Sequence, residues 1–220
     1  MESGIITNGV YSMKLFTWPT SPFGAKVWAV ALAIGMDKRI EKVSYHPWQN
    51  DLELSKLNPL NKIPVLQINA TETLYDSPVI CQYLIDYSNS DALVENLWLN
   101  LRQQALADGM MAAGATARYE THFRPAELQS KDWIDRQFKA INQCFDTLNR
   151  EQLSKDITLG NISIAIALTY LDLRFEKELN WRNSYKQLAD WFEDYSQHAF
   201  VQQAKPVDYP LPKDIKLLKS

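Results

Sequence analysis

Residues 14–35 read KLFTWPTSPFGAKVWAVALAIG, and the change of period inside this stretch sets the fold class. Lys14-Leu15-Phe16-Thr17 has the length and composition of a short strand. Pro22 to Ile34 then places Phe23, Val27, Val30, Ala31 and Ile34 at helical spacing, and Gly35 stops the pattern. The joint between them is Thr20-Ser21-Pro22-Phe23, so Ser21 falls at the N-cap and Pro22 at the first helical position. A strand therefore leads directly into a helix through a capped turn.

Working outward toward the C-terminus, Glu41–Tyr45 suggests a second strand and Leu52–Leu57 a short helix. Asn58-Pro59-Leu60-Asn61 forms a turn before the strand Val65–Ile68. A short strand at Thr73–Tyr75 runs into a helix from Pro78 to about Tyr87. The order βαβ then ββα is that of a thioredoxin-like α/β layer. After Asn89-Ser90-Asp91 the strand signals cease. Leu93 to about His122, Lys131–Arg150, Leu159–Glu178 and Tyr185–Gln197 all carry helical patterns, which predicts a C-terminal helical bundle. The expected division is an N-terminal extension at 1–12, an α/β domain at 13–88 and an all-helical domain at 92–220. Ile162 to Leu168 is apolar on nearly every side, as a central bundle helix requires. Thr158 is placed to cap that helix, with Ile157 and Ile162 spaced as a hydrophobic staple.

The bulk composition removes several classes. The chain has 220 residues, 46% hydrophobic, with 23 Lys plus Arg against 26 Asp plus Glu for a net charge of −3. That balance gives no basic face for nucleic acid. Cys81 and Cys144 stand far apart in apolar helical patterns, and His46, His122 and His198 are scattered, so neither a disulfide framework nor a metal site is expected. The longest apolar run, Ile162–Leu171, is about half of a membrane span, and the N-terminus lacks the pattern of a secretory leader. A cytoplasmic protein with no nucleic-acid or membrane partner is the expectation.

Three places on the first domain carry chemistry. Ser21 presents a hydroxyl at a helix N-terminus, where free amides stabilise an anion, a thiolate included. A thiol titrates near ~8.5, and lowering that by about two units requires about 2.7 kcal/mol. A hydrogen bond to a charged group supplies about 1.5–3 kcal/mol and a helix end about 0.3–1 kcal/mol, so one serine suffices. A helix cap with no further role is the plain alternative. At Asn61-Lys62-Ile63-Pro64-Val65, a proline at the mouth of a strand suggests a cis bond that leaves the Ile63 backbone free to pair with an extended peptide. Asp76-Ser77-Pro78 is another capped start, fit to hold an α-carboxylate at Ser77 while Asp76 attracts an ammonium. Together the three would hold a small thiol-bearing peptide with a zwitterionic end.

From Met13 to about Pro206 these residues resemble the glutathione S-transferase superfamily. Thr20-Ser21-Pro22-Phe23-Gly24-Ala25-Lys26-Val27 looks like the start of its serine-type members. Asn58-Pro59-Leu60-Asn61-Lys62-Ile63-Pro64-Val65-Leu66 is similar to its cis-proline segment, and Asp76-Ser77-Pro78-Val79-Ile80-Cys81-Gln82-Tyr83-Leu84 to the helix that receives the γ-glutamyl end. Ala105–Met111 and Arg124-Pro125 resemble a bacterial group. The resemblance implies a cytosolic, detoxifying, homodimeric enzyme with no permanently bound cofactor. Glutathione is then the co-substrate, and its thiolate attacks a small hydrophobic electrophile. It makes Ser21 the catalytic residue, with Thr20 as runner-up. Ser21, Phe23, Gln49 (or its neighbour Trp48), Ile63, Pro64, Asp76 and Ser77 are then the glutathione contacts. Met111, Ala115, Arg118 and His122 recur on one face of the long helix, where they would wall the electrophile pocket or pack in the core or a dimer. Where the family has Asp at the third position of the bundle helix this chain has Asn161, which predicts a weaker but surviving cap. A non-catalytic glutathione-binding or protein-interaction module of the same fold is the alternative function. A disulfide oxidoreductase would need cysteine where Ser21 stands.

Overall fold

The computed structural model describes residues 13–47 and 52–210. Its first part is a four-stranded mixed sheet in the order β2-β1-β3-β4. Strand β1 (Met13–Thr17) pairs in parallel with β2 (Ile40–Ser44), Leu15 opposite Lys42, and antiparallel with β3 (Val65–Gln67), Leu15 opposite Leu66. Strand β4 (Thr73–Leu74) closes the edge against β3. Helices α1 (Pro22–Ala33), α2 (Leu52–Leu57) and α3 (Ser77–Ser88) complete a thioredoxin-like layer.

Beyond a 3-10 turn at Asp91–Val94, the described residues hold only helices and turns. They are α4 (Leu97–Arg118), α5 (Lys131–Glu151), α6 (Leu159–Leu179), α7 (Trp181–Ser184), α8 (Lys186–Tyr195) and α9 (Ala199–Ala204). The continuous helix expected to run to His122 is α4 followed by a π-turn at Tyr119–Phe123. The short helices α7 and α9 had no periodic signal, since one or two turns are too brief to show one.

Helix α6 is the centre of the bundle. Ile162 to Leu168 are all fully buried, and each isoleucine there contributes roughly 1.5–3 kcal/mol by leaving water. Ser163 enters this environment by donating to the Leu159 carbonyl at 2.7 Å. Thr158 caps the helix, accepting from the Asn161 amide at 3.2 Å. The expected staple is weak, since Ile157 stays 43% exposed. Asn161 fixes the entry instead: its side-chain amide donates to the carbonyls of Ser154 and Asp156, both at 3.0 Å. An aspartate cannot donate these bonds, so the asparagine holds the loop by its own means rather than as a defective cap.

Helix α4 packs against α5 and α6 and touches α1. At Gly114 a Cβ would lie 3.0 Å from both Tyr170 and Leu171, which is why α4 and α6 approach so closely there. Helix α1 in turn packs against α3, α6 and α9. Its Lys26 is fully buried and donates to both carboxylate oxygens of Asp108 on α4, at 2.7 and 2.8 Å. Burial pushes the Asp108 carboxyl up while Lys26 pulls it down.

Candidate functional site

A cleft of about 920 Å³ opens between the start of α1, the loop before β3, the C-terminal end of α4 with its π-turn, α6, and residues 208–210. Ser21 stands at its α1 wall. The Ser21 backbone is extended (φ −75°, ψ 116°), its amide donates to Trp18 O at 2.8 Å, and its Oγ accepts from the Gly24 amide at 3.2 Å. That bond uses a lone pair of the hydroxyl and leaves the O–H proton to donate elsewhere. The first turn of α1 contains no acidic residue, so nothing there neutralises the positive end of the helix. Thr20, Pro22 and Phe23 line the cleft beside it.

The second wall is Leu60, Asn61, Lys62 and Ile63. Buried Asn58 shapes it: its Nδ2 donates to Lys62 O at 2.8 Å and its Oδ1 accepts from the Leu60 amide at 3.0 Å. Asn61 takes the left-handed conformation (φ 52°) that asparagine tolerates. The Ile63–Pro64 bond is cis, as the sequence suggested, and so is Tyr75–Asp76.

The structure brings Thr20, Ser21, Phe23, Ile63, Ala115, Arg118 and His122 together on this cleft. Pro64, Asp76 and Ser77 lie outside its lining. Asp76 nevertheless precedes α3 as expected, exposed and with its side chain making no cap bond to its own helix, with Ser77 buried at the first position. Gln49 and Trp48 lie outside the described residues. Met111 is a correction: it is fully buried in the core and does not line the cleft. A 22-residue helix is about 33 Å long, so one face of α4 leaves the cleft and enters the packed interior a turn before Ala115.

Sequence reasoning missed Tyr170 and Arg174 of α6, and Asp208 and Tyr209, all of which line the cleft. Tyr170 and Arg174 are spaced i, i+4 at the end of the apolar stretch of α6, a pattern that marks where the helix leaves the core. Burial lowers the pKa of His46, another lining residue, and raises that of Tyr170. No group of metal-ligating side chains was found among the described residues, and no described helix is long and apolar enough to cross a membrane.

The fold matches known proteins. Family models for the N-terminal and C-terminal domains of glutathione S-transferase match residues 20–86 and 131–194. The uncharacterized GST-like protein YibF of Escherichia coli (strain K12) is 34% identical over 172 residues, covering 74% of this chain and 83% of that protein. The chain belongs to the glutathione S-transferase family. A glutathione transferase family member from Pseudomonas fluorescens Pf-5, solved with bound glutathione, superposes with a TM-score of 0.81 at 32% identity over 90% of this chain and all of that one. A glutathione transferase family member from the same organism, with bound S-(propanoic acid)-glutathione, gives a TM-score of 0.80 at 32% identity over 89% of this chain and 100% of that one. A glutathione S-transferase from Methylobacillus flagellatus KT with glutathione bound gives 0.81 at 29%, covering 89% of this chain and 100% of that one.

Proposed function

We propose that this chain is a serine-type glutathione transferase that holds reduced glutathione along the α1 wall of the cleft and directs its thiolate at a small electrophile. The observation that carries the reading is Ser21: a hydroxyl with a free proton at an un-neutralised helix N-terminus, opening onto a cleft large enough for a second molecule. Glutathione or a glutathione conjugate bound in the Pseudomonas and Methylobacillus relatives supports the tripeptide as the ligand.

In this reading the Ser21 O–H donates to the sulfur and favours the thiolate over the thiol. Phe23 packs beside it, and the Ile63 backbone pairs with the peptide. The start of α3 takes the γ-glutamyl end, its carboxylate at Ser77 and its ammonium facing Asp76. Gln49 contacts the glycyl end. The electrophile sits against Ala115 and Arg118. The domain boundary falls at Ser88–Asp91, and the protein works in the cytoplasm as a homodimer. Val79 and Tyr87 of α3 with Leu97 and Trp98 of α4 leave apolar surface exposed for that contact.

The test is retention on immobilised glutathione followed by turnover with a panel of electrophiles, with mass measured by sedimentation at micromolar concentration. Retention with turnover supports the enzyme, retention alone makes the protein a binding module, and a monomer removes the dimer.

A further inference from the structure

The helical wall of the cleft has a charge pattern that a purely hydrophobic electrophile would leave unsatisfied. Of the described lining residues, Lys62, Arg118 and Arg174 are cationic and Asp208 is the one carboxylate. Asp208 pairs with Arg174 at 2.9 Å, but it is 79% exposed while the Arg174 side chain is 13% exposed, so water screens much of the attraction. Arg118 is half-buried and makes no ion pair among the described residues. Its burial, first, and the neighbouring Arg174 work against its charge, which the exposed Asp208 offsets only in part. A guanidinium does not shed its proton under such pressure, so the site holds two cations in a partly dry wall with about one screened counter-charge. Beside them Tyr170 is buried and kept neutral, its hydroxyl able to act as a donor. Ala112, Ala115, Phe23 and Phe123 supply apolar surface in the same cleft.

We infer that the second substrate is an electrophile bearing a carboxylate, which Arg118 grips with Arg174 while its reactive carbon is presented to the thiolate at Ser21. The inference rests on the transferase reading for the thiolate, and on the arginines alone for the anion. Carboxylate geometry suits the planar fork of arginine, which gives two parallel bonds where a lysine gives a point charge.

The experiment uses a matched pair, 4-chloro-3,5-dinitrobenzoate and 4-chloro-3,5-dinitrobenzamide. In each, the glutathione sulfur forms a bond to the ring carbon bearing chlorine, chloride leaves with the bonding pair, and the thiol proton goes to solvent. The readout is the ratio of kcat/KM for carboxylate over amide, each corrected for its uncatalysed rate. The parent is expected to favour the carboxylate by at least about tenfold, as charge-assisted bonds require. Arg118→Gln should cut the ratio by about tenfold to a hundredfold, through KM, and Arg118→Lys should restore part of it. A parent ratio near one, or an Arg118→Gln variant that slows both substrates equally, overturns the inference. So does a variant whose glutathione affinity falls with the ratio unchanged, since the arginine would then serve the tripeptide. Calorimetry with the two preformed glutathione conjugates separates the failures: tighter binding of the carboxylate conjugate without turnover sinks the transferase reading and keeps the anion site, and equal binding sinks the anion site.

Discussion

Ser21 caps a helix and, in the proposed transferase, also activates a thiol; two substitutions tell the two roles apart. Its Oγ caps α1 by accepting the Gly24 amide at 3.2 Å, and in the proposed chemistry its O–H stabilises a thiolate. Ser21→Ala removes both. Loss of the cap costs about 1 kcal/mol, which in a protein of this size lowers Tm by about 2–4 °C. Loss of a hydrogen bond to a charged sulfur costs about 1.5–3 kcal/mol, tenfold to roughly a hundredfold in rate at neutral pH. Ser21→Gly also removes the hydroxyl, but glycine is a tolerable N-cap and costs only a few tenths of a kcal/mol. The two variants should therefore differ in Tm yet lose the same factor in turnover. The sign of the pH effect follows from which form the hydroxyl favours. It lowers the thiol pKa in the parent, so its removal raises that pKa by about one to two units, and activity lost at pH 7 returns as pH climbs toward and past ~8.5. The assay is a pH–rate profile of kcat/KM for parent, Ala and Gly variants, with melting curves on the same samples. The reasoning fails if the rate loss follows stability, with the glycine variant nearly as fast as the parent. It fails also if neither profile moves; a shift produced by Thr20→Ala instead assigns the role to Thr20.

Three further outcomes follow from the packing around α1. Asp108→Asn leaves the buried Lys26 ammonium without its counter-charge and should cost about 3–5 kcal/mol by denaturant titration, whereas Lys26→Met with Asp108→Leu should recover most of that loss; an asparagine variant as stable as the parent refutes the pairing. Gly24→Ala would place a Cβ 1.7 Å from Thr17 Oγ1, so the first turn of α1 must move, and both Tm and glutathione affinity should drop while a substitution at exposed Lys38 leaves them alone. Cys81 is fully buried, and desolvation pushes its thiol up to about 12. Native protein at pH 8 should thus show no rapid reaction at Cys81 with a disulfide reagent, Cys144 should react slowly, and denaturant should release both; rapid labelling of Cys81 would contradict its burial.

The sequence was most legible where period and punctuation coincide. The strand-to-helix joint at Ser21-Pro22 matches the sequence pattern, with β1 ending at Thr17 and α1 starting at Pro22, and among the described residues no strand follows β4. The stretch Ile162–Leu168 of α6 is buried throughout because its single polar side chain, Ser163, bonds back to its own helix. What escaped notice depends on tertiary placement. Met111 and Ala115 share a helical face in sequence, but one lies in the core and the other on the cleft, and only the position of α6 and α1 decides which. Arg174 and Asp208 lie 34 residues apart and meet through the return of the chain after α9, which no local pattern encodes. In sequence Asn161 looks like a weakened cap, because the loop oxygens it binds are not visible from a one-residue change.

The shared position of α1 bears on how this cleft can vary. The helix that carries Ser21 is wedged against α3 on one side and α6 and α9 on the other, and is tied to α4 through Lys26. A wall anchored in both halves of the molecule leaves little room for hinge closure around a substrate, since packed interiors resist deformation. The aperture is set when the chain folds. In the proposed transferase, new substrates are then accommodated by exchanging side chains on the α4 and α6 wall, one residue at a time, while Ser21 stays where α1 holds it.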